Sequence, residues 1–203
     1  MITEQKWRQL RKFYPWPVDK PQGKKNFHGW LAEDNKTELA KILSELESPL
    51  VVEIGTWLGL STRFFLKESK GKLITIDHFK GSKEHHENIE WKAILDSGLE
   101  QQARINLVNF QSRCLIVKGI SSQVLPELFR LQLQPDVIYI DGSHEFDAAY
   151  TDIAQSMSFF DNAVICGDDG NMPGVQKALS AILDENENYR LEMKGRFWRI
   201  HNV

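Results

Sequence analysis

Four side chains able to do chemistry stand where short apolar runs end. Asp141 closes Val137 to Ile140, His144 follows it by one short turn, and Asp168 and Asp169 close the run that begins at Val164. Neighbouring strands of one parallel sheet would bring the three carboxylates to the same edge, where ligands of such sheets bind. Like charges held together repel unless a proton or a cation compensates them. Hard divalent ions such as Mg²⁺ take oxygen ligands of this kind. The sequence therefore predicts a metal at Asp141, Asp168 and Asp169; the plainer alternative has Asp141 capping a helix and the acidic pair forming a turn. His144 reads as a general base for a hydroxyl nucleophile, since a neutral imidazole with a pKa of roughly 6.5 suits that task. Its alternative is a histidine hydrogen-bonded to a neighbouring carboxylate.

A second group lies earlier. Glu53-Ile54-Gly55-Thr56-Trp57-Leu58-Gly59-Leu60-Ser61-Thr62 reads as a buried strand, a glycine turn and a helix start, with Ser61 or Thr62 available as a cap. Gly55 permits a tight turn and close backbone approach, and Gly59 lets the helix pack on the strand. A dinucleotide fingerprint needs a second and a third glycine where this chain has Trp57 and Leu60, and a bulky residue there obstructs a pyrophosphate. That disfavours a nucleotide-dependent oxidoreductase. Asp77 ends the next apolar run, where a carboxylate can accept both hydrogens of a ribose diol. The turn and Asp77 together point to a nucleoside without phosphates.

These residues resemble motif I of the class I S-adenosylmethionine-dependent methyltransferases, in the form found in catechol- and caffeoyl-CoA-type O-methyltransferases. The resemblance continues through Lys118-Gly119-Ile120-Ser121-Ser122, Tyr139-Ile140-Asp141-Gly142-Ser143-His144 and Cys166-Gly167-Asp168-Asp169, and is nearest to the macrocin-type subgroup. It implies that Gly55, Gly59 and Asp77 hold S-adenosylmethionine, with Glu53 near its amino-acid end and Ser121 by the adenine. Trp57, Ser61 and Asp141 complete the implied donor site. It further implies a divalent cation at the three acids and O-methylation of a small hydroxylated acceptor. A module that binds the donor without turnover is the non-enzymatic alternative, since a fold does not establish a function.

The elements that must position these groups alternate. Apolar runs at Leu50 to Ile54, Leu73 to Ile76, Leu115 to Val117, Val137 to Ile140 and Val164 to Cys166 suit strands covered on both faces. Helical spacing appears at Leu39, Ile42, Leu43 and Leu46, with Asp34 or Asn35 as N-cap. It recurs at Phe146, Ala149, Tyr150, Ile153 and Met157, and at Val175, Ala178, Leu179 and Ile182. This predicts a doubly wound, Rossmann-like α/β sheet, mostly parallel, over residues 34–203. Tyr189 to Met193 and Phe197 to Ile200, joined by Lys194-Gly195-Arg196, predict an antiparallel C-terminal hairpin.

Residues 1–33, broken by Pro15, Pro17 and Pro21, read as an extended arm packed on the domain rather than as a pocket wall or a homodimer contact. The stretch from Gly81 to Arg113 is expected to cover the substrate pocket. Adjacent His85 and His86 point in different directions and read as solvated. The 203 residues carry 25 basic and 28 acidic side chains without a long basic run, so neither nucleic acid nor an anionic membrane is implied. Two separated cysteines and the lack of an apolar leader lead to the expectation of a cytoplasmic protein.

Overall fold

The computed structural model describes residues 2–17 and 21–203. Its seven-stranded sheet consists of β1 (Leu50–Ile54), β2 (Lys72–Asp77), β3 (Cys114–Lys118), β4 (Val137–Ile140), β5 (Val164–Gly167), β6 (Tyr189–Lys194) and β7 (Phe197–Asn202). The order is β3-β2-β1-β4-β5-β7-β6. The first five strands run parallel, while β7 pairs antiparallel with β5 and β6 antiparallel with β7. Every residue of β1 and β4 is buried, which accounts for their unbroken apolar character: successive side chains enter opposite faces, and both faces are covered. Val52, Ile54, Ile138 and Ile140 join one core with α7 (Ser121–Arg130), α8 (Phe146–Phe159) and α9 (Pro173–Asp184). Val51, Val137 and Tyr139 join the other with α2 (Glu33–Ser44) and α3 (Leu60–Glu68).

The chain winds outward from β1 through β2 to β3, then returns to place β4 on the other side of β1. Ile54 is thus the neighbour of Ile140, and the strand ends of β1 and β4 separate two oppositely wound halves. Crevices form at such a reversal because the two connections diverge above it. The amide of Asp141 donates to the Ile54 carbonyl at 2.8 Å and that of Gly55 to Ile76 at 2.9 Å, so the rim of the crevice is rigid.

Two local expectations change. Within the region read as an extended arm, Glu4–Phe13 forms a helix, α1, N-capped by Thr3, whose side chain accepts from the Lys6 amide. Trp7 and Leu10, three residues apart, bury themselves in the core beside α7, each burial stabilising by roughly 1.5–3 kcal/mol. Pro15 and Pro17 follow its end, so only the later part is extended; Met1 and residues 18–20 lie outside the described residues. The arm then rounds the β3 edge of the sheet. The Trp7 indole donates to the Ser112 carbonyl at 2.8 Å, and Trp16, packed on the opposite core, donates to Cys114 at 2.9 Å. At α2 the N-cap is Ala32, without a side-chain bond, in place of Asp34 or Asn35. Asp34 instead accepts from the amide of Arg196 in the C-terminal hairpin turn at 2.7 Å. No helix among the described residues is long and apolar enough to cross a membrane.

Candidate active site

The turn after β1 is shaped by contacts that leave no room for side chains. A Cβ on Gly55, whose φ is +95°, would stand 1.9 Å from the Asp141 carbonyl oxygen, so the close approach foreseen for this glycine is to the next strand's backbone. Gly59 starts α3 facing Leu107 of α6 (Leu99–Leu107), rather than β1. Trp57 adopts φ +47°, a left-handed conformation uncommon for a bulky residue. Asp77 holds this turn: one carboxylate oxygen accepts the amides of Thr56 and Trp57, both at 2.9 Å, and the other accepts the Phe79 amide at 2.6 Å. Asp77 also lines the crevice.

Neither Ser61 nor Thr62 caps α3; both are buried in its first turn, and the Thr62 hydroxyl donates to Glu53 at 2.5 Å. Thr75 donates to the same Glu53 oxygen at 2.7 Å. Glu53 is wholly buried beneath the crevice, and burial pushes its pKa up to about 7 from 4.5. The folded protein therefore holds the proton more tightly than the unfolded chain. Stability should fall as pH rises from about 4.5 to about 7, by roughly 3 kcal/mol from this group. Glu53→Gln, which keeps an acceptor for both threonines, is expected to reduce the difference in urea midpoint between mildly acidic and mildly alkaline buffer. An unchanged difference would show that the buried carboxyl does not titrate in this range.

The crevice contains two joined chambers. The larger, about 420 Å³, is lined by Asp77, Gly119, Ser121, Asp141 and Asp152. Asp152, on α8, was not singled out by the sequence because only the apolar positions of that helix were informative. It is buried, and desolvation pushes its pKa up to about 6 against the opposing influence of Ser121. The smaller chamber, about 240 Å³, is lined by Trp30, Trp57, His85, Trp91, Met172, Asp169 and Arg196. Gly55, Trp57, His85, Asp141 and His144 belong to both. His85, read from the sequence as solvated, stacks on Trp57 with ring centroids 4.3 Å apart. Its Nδ1 accepts the Ser82 amide at the start of α4 (Lys83–Glu87), and burial lowers its pKa. Trp30 and Trp91 meet edge to face at 4.8 Å, so the arm and α5 (Ile89–Asp96) supply one aromatic wall. Residues 81–85 and Trp91 line the crevice, and the arm reaches it at Gly29 and Trp30.

The three acids converge: one oxygen of each lies within 4.8 Å of the others. Asp141 does not cap α8, whose N-cap is Glu145. Burial, reinforced by the charges of Asp168 and Asp169, raises the Asp141 pKa well above its ordinary value. The sequence did not anticipate the cation among them. Arg196 Nε donates to Asp168 Oδ1 at 3.0 Å, and Nη2 bonds Asp169 Oδ1. Arg196 immediately precedes β7, and β7 lies antiparallel to β5. The residue before β7 must therefore stand at the carboxyl end of β5, beside the paired acids.

His144 lies between two carboxylates, with Nε2 2.6 Å from Asp169 Oδ2 and Nδ1 3.4 Å from Glu84 Oε2 on α4. The Asp169 hydrogen bond raises the imidazole pKa against the opposing effect of burial. Burial would also raise the Asp169 carboxyl, but His144 and Arg196 hold it below its usual value.

Comparison with known proteins bears on this geometry directly. Residues 52–170, from β1 to the turn after the paired acids, match a family described as a methyltransferase domain. The chain belongs to that family. As a methyltransferase domain it carries the glycine turn after β1, Asp77 and the acidic strand ends all within the matched span. No curated protein matches it in sequence. Among solved structures it is similar to cofactor-bound Rv0187 from MTB, at 17% identity and TM-score 0.62 over 97% of this chain and 87% of that one. It is also similar to an O-methyltransferase from Bacillus cereus in complex with SAH, at 16% identity and TM-score 0.57 over 100% and 92% of the two chains. A third is CalS11, a TDP-rhamnose 3'-O-methyltransferase of calicheamicin biosynthesis, at 14% identity and TM-score 0.53 over 100% and 96%. At these identities the likeness is one of fold, and it agrees with the doubly wound class I methyltransferase sheet that the motifs implied.

Proposed function

We propose that this methyltransferase domain transfers the methyl group of S-adenosylmethionine to a hydroxyl of a small acceptor. The observation that supports this reading is the meeting of the two chambers at Asp141 and His144, with an acid suited to a ribose diol in one and a carboxylate-oriented imidazole bordering the other. Bound S-adenosylmethionine supplies the electrophilic sulfonium methyl. Asp77 would hold its ribose, Gly55 and Trp57 would border it, and Ser121 with Asp152 would meet the adenine end. The protein's own part is alignment, exclusion of water and movement of one proton. Asp169 fixes His144 through Nε2, which leaves Nδ1 to take the acceptor's hydroxyl proton once the acceptor displaces the longer contact to Glu84. Trp30, Trp57 and Trp91 would close the acceptor chamber against solvent.

Calorimetry with S-adenosylhomocysteine tests the donor half: wild type should bind, and Asp77→Ala should bind about 1.5–3 kcal/mol more weakly, the scale of a charged hydrogen bond. Wild type without affinity would remove the reading. Turnover of any catechol, phenol or sugar to methylated product separates an enzyme from a module that only binds the donor.

A further inference from the structure

Resting on that methyl-transfer reading, we infer that Arg196 is the resident cation of the acidic cluster, occupying the place of a divalent ion, and that transfer proceeds without metal. Three carboxylates at strand ends form a ligand set that hard divalent ions accept. Here the oxygens of two of them are already taken. Asp168 Oδ1 accepts the Asp169 amide at 2.6 Å and Arg196 Nε at 3.0 Å, while Asp168 Oδ2 receives Nη2 at 3.4 Å. Asp169 Oδ1 is bonded to Arg196 Nη2, and Asp169 Oδ2 lies 2.6 Å from His144 Nε2. Asp141 is left as the one carboxylate of the three bonded to neither Arg196 nor His144, and a lone carboxylate holds Mg²⁺ only together with further oxygens such as those of a substrate phosphate. A divalent ion would have to displace the guanidinium and then share a half-buried space with it.

The displacement is opposed by the fold. The Arg196 amide donates to Asp34 Oδ2 at 2.7 Å and its carbonyl accepts from Gly170 at 2.8 Å, so both sides of its peptide are anchored. Gly195 before it has φ +60°, and a Cβ there would lie 1.9 Å from Asp34 Oδ2. The left-handed backbone favours glycine at this point of the hairpin turn, and the turn delivers the next side chain to the acids. A guanidinium keeps its charge at any working pH and spans two carboxylates with its planar fork. Arg196 is thus a positioning residue: it holds Asp169, and Asp169 holds His144.

Titration of the full chain with Mn²⁺, followed by the loss of the free-ion electron paramagnetic resonance signal, tests this without donor or acceptor. Wild type should show no saturable binding at the cluster. Arg196→Met should acquire saturable binding that wild type lacks, as expected when three acids lose their compensating charge. That new binding should disappear when Asp168→Asn is added. Saturable wild-type binding abolished by Asp141→Asn would overturn the inference, and that comparison remains decisive if Arg196→Met does not fold. A folded Arg196→Met protein that binds Mn²⁺ no better than wild type would also overturn it. Turnover that EDTA abolishes and Mg²⁺ restores would do the same. Failure of the methyl-transfer reading itself would appear in the S-adenosylhomocysteine calorimetry and leave the Mn²⁺ result standing.

Discussion

His144→Ala is expected to slow methyl transfer by about 10²–10⁴-fold, the usual contribution of a positioned base, while affinity for S-adenosylhomocysteine stays close to that of wild type. The imidazole borders both chambers and is held by Asp169 rather than by Asp77 or Ser121, so removing it should leave their proposed donor contacts in place. The pH profile carries independent information. Because the Asp169 hydrogen bond raises the imidazole pKa, the neutral form that accepts a proton gains population only as pH passes a value above the ordinary 6.5. Wild-type rate should therefore rise with pH through that displaced value, and the limb should vanish in His144→Ala. His144→Gln, which can still bond Asp169, should also lack the limb; near-normal turnover with the same profile in either variant would assign proton removal elsewhere.

Gly55→Ala is expected to cost about 3–5 kcal/mol of stability, at the upper end of single substitutions, because conformational strain and a backbone collision act together. The added methyl would lie 1.9 Å from the Asp141 carbonyl oxygen at φ +95°. Neither partner can yield cheaply, since the Gly55 and Asp141 amides are both committed to neighbouring strands. If the variant folds, relief must come from moving Asp141, and donor binding should fall with it. Denaturant midpoints and calorimetry read the two effects separately. A midpoint equal to wild type would mean that the β1 and β4 ends are not held as closely as described.

What could be read from the sequence was set by period and by strand ends. Apolar runs such as Val51 to Ile54 and Val137 to Ile140 identify covered strands because both faces of the sheet are packed, and a parallel sheet then requires Asp77, Asp141 and Asp168 to share one edge. Arg196 escaped notice because its placement depends on which strand β7 pairs with, a long-range fact that no local pattern contains. His85 escaped because adjacent histidines on a short helix diverge, yet one of them suffices: His85 turns in to Trp57 while His86 bonds the Lys80 carbonyl. The α1 helix was hidden by its charge, with only Trp7 and Leu10 buried among polar neighbours. Asp34 suggested a cap by position, but its carboxylate serves a turn 162 residues away.

The path of the arm around β3 also bears on solubility. An outermost strand offers unpaired carbonyls and amides on which another polypeptide can add as a further strand, the first step of sheet growth between molecules. On this side the Trp16 indole occupies the Cys114 carbonyl at the start of β3 and the Trp7 indole the Ser112 carbonyl just before it, so the protein's own chain covers the beginning of the hydrogen-bonding template. The opposite border is guarded differently: β6 carries Arg190, Glu192 and Lys194, whose charges resist burial in an intermolecular ladder. The stretch that covers the start of β3 continues to Gly29 and Trp30 in the wall of the smaller chamber. A change that loosened it would expose the edge and open the pocket wall together, linking the tendency to aggregate with access to the site.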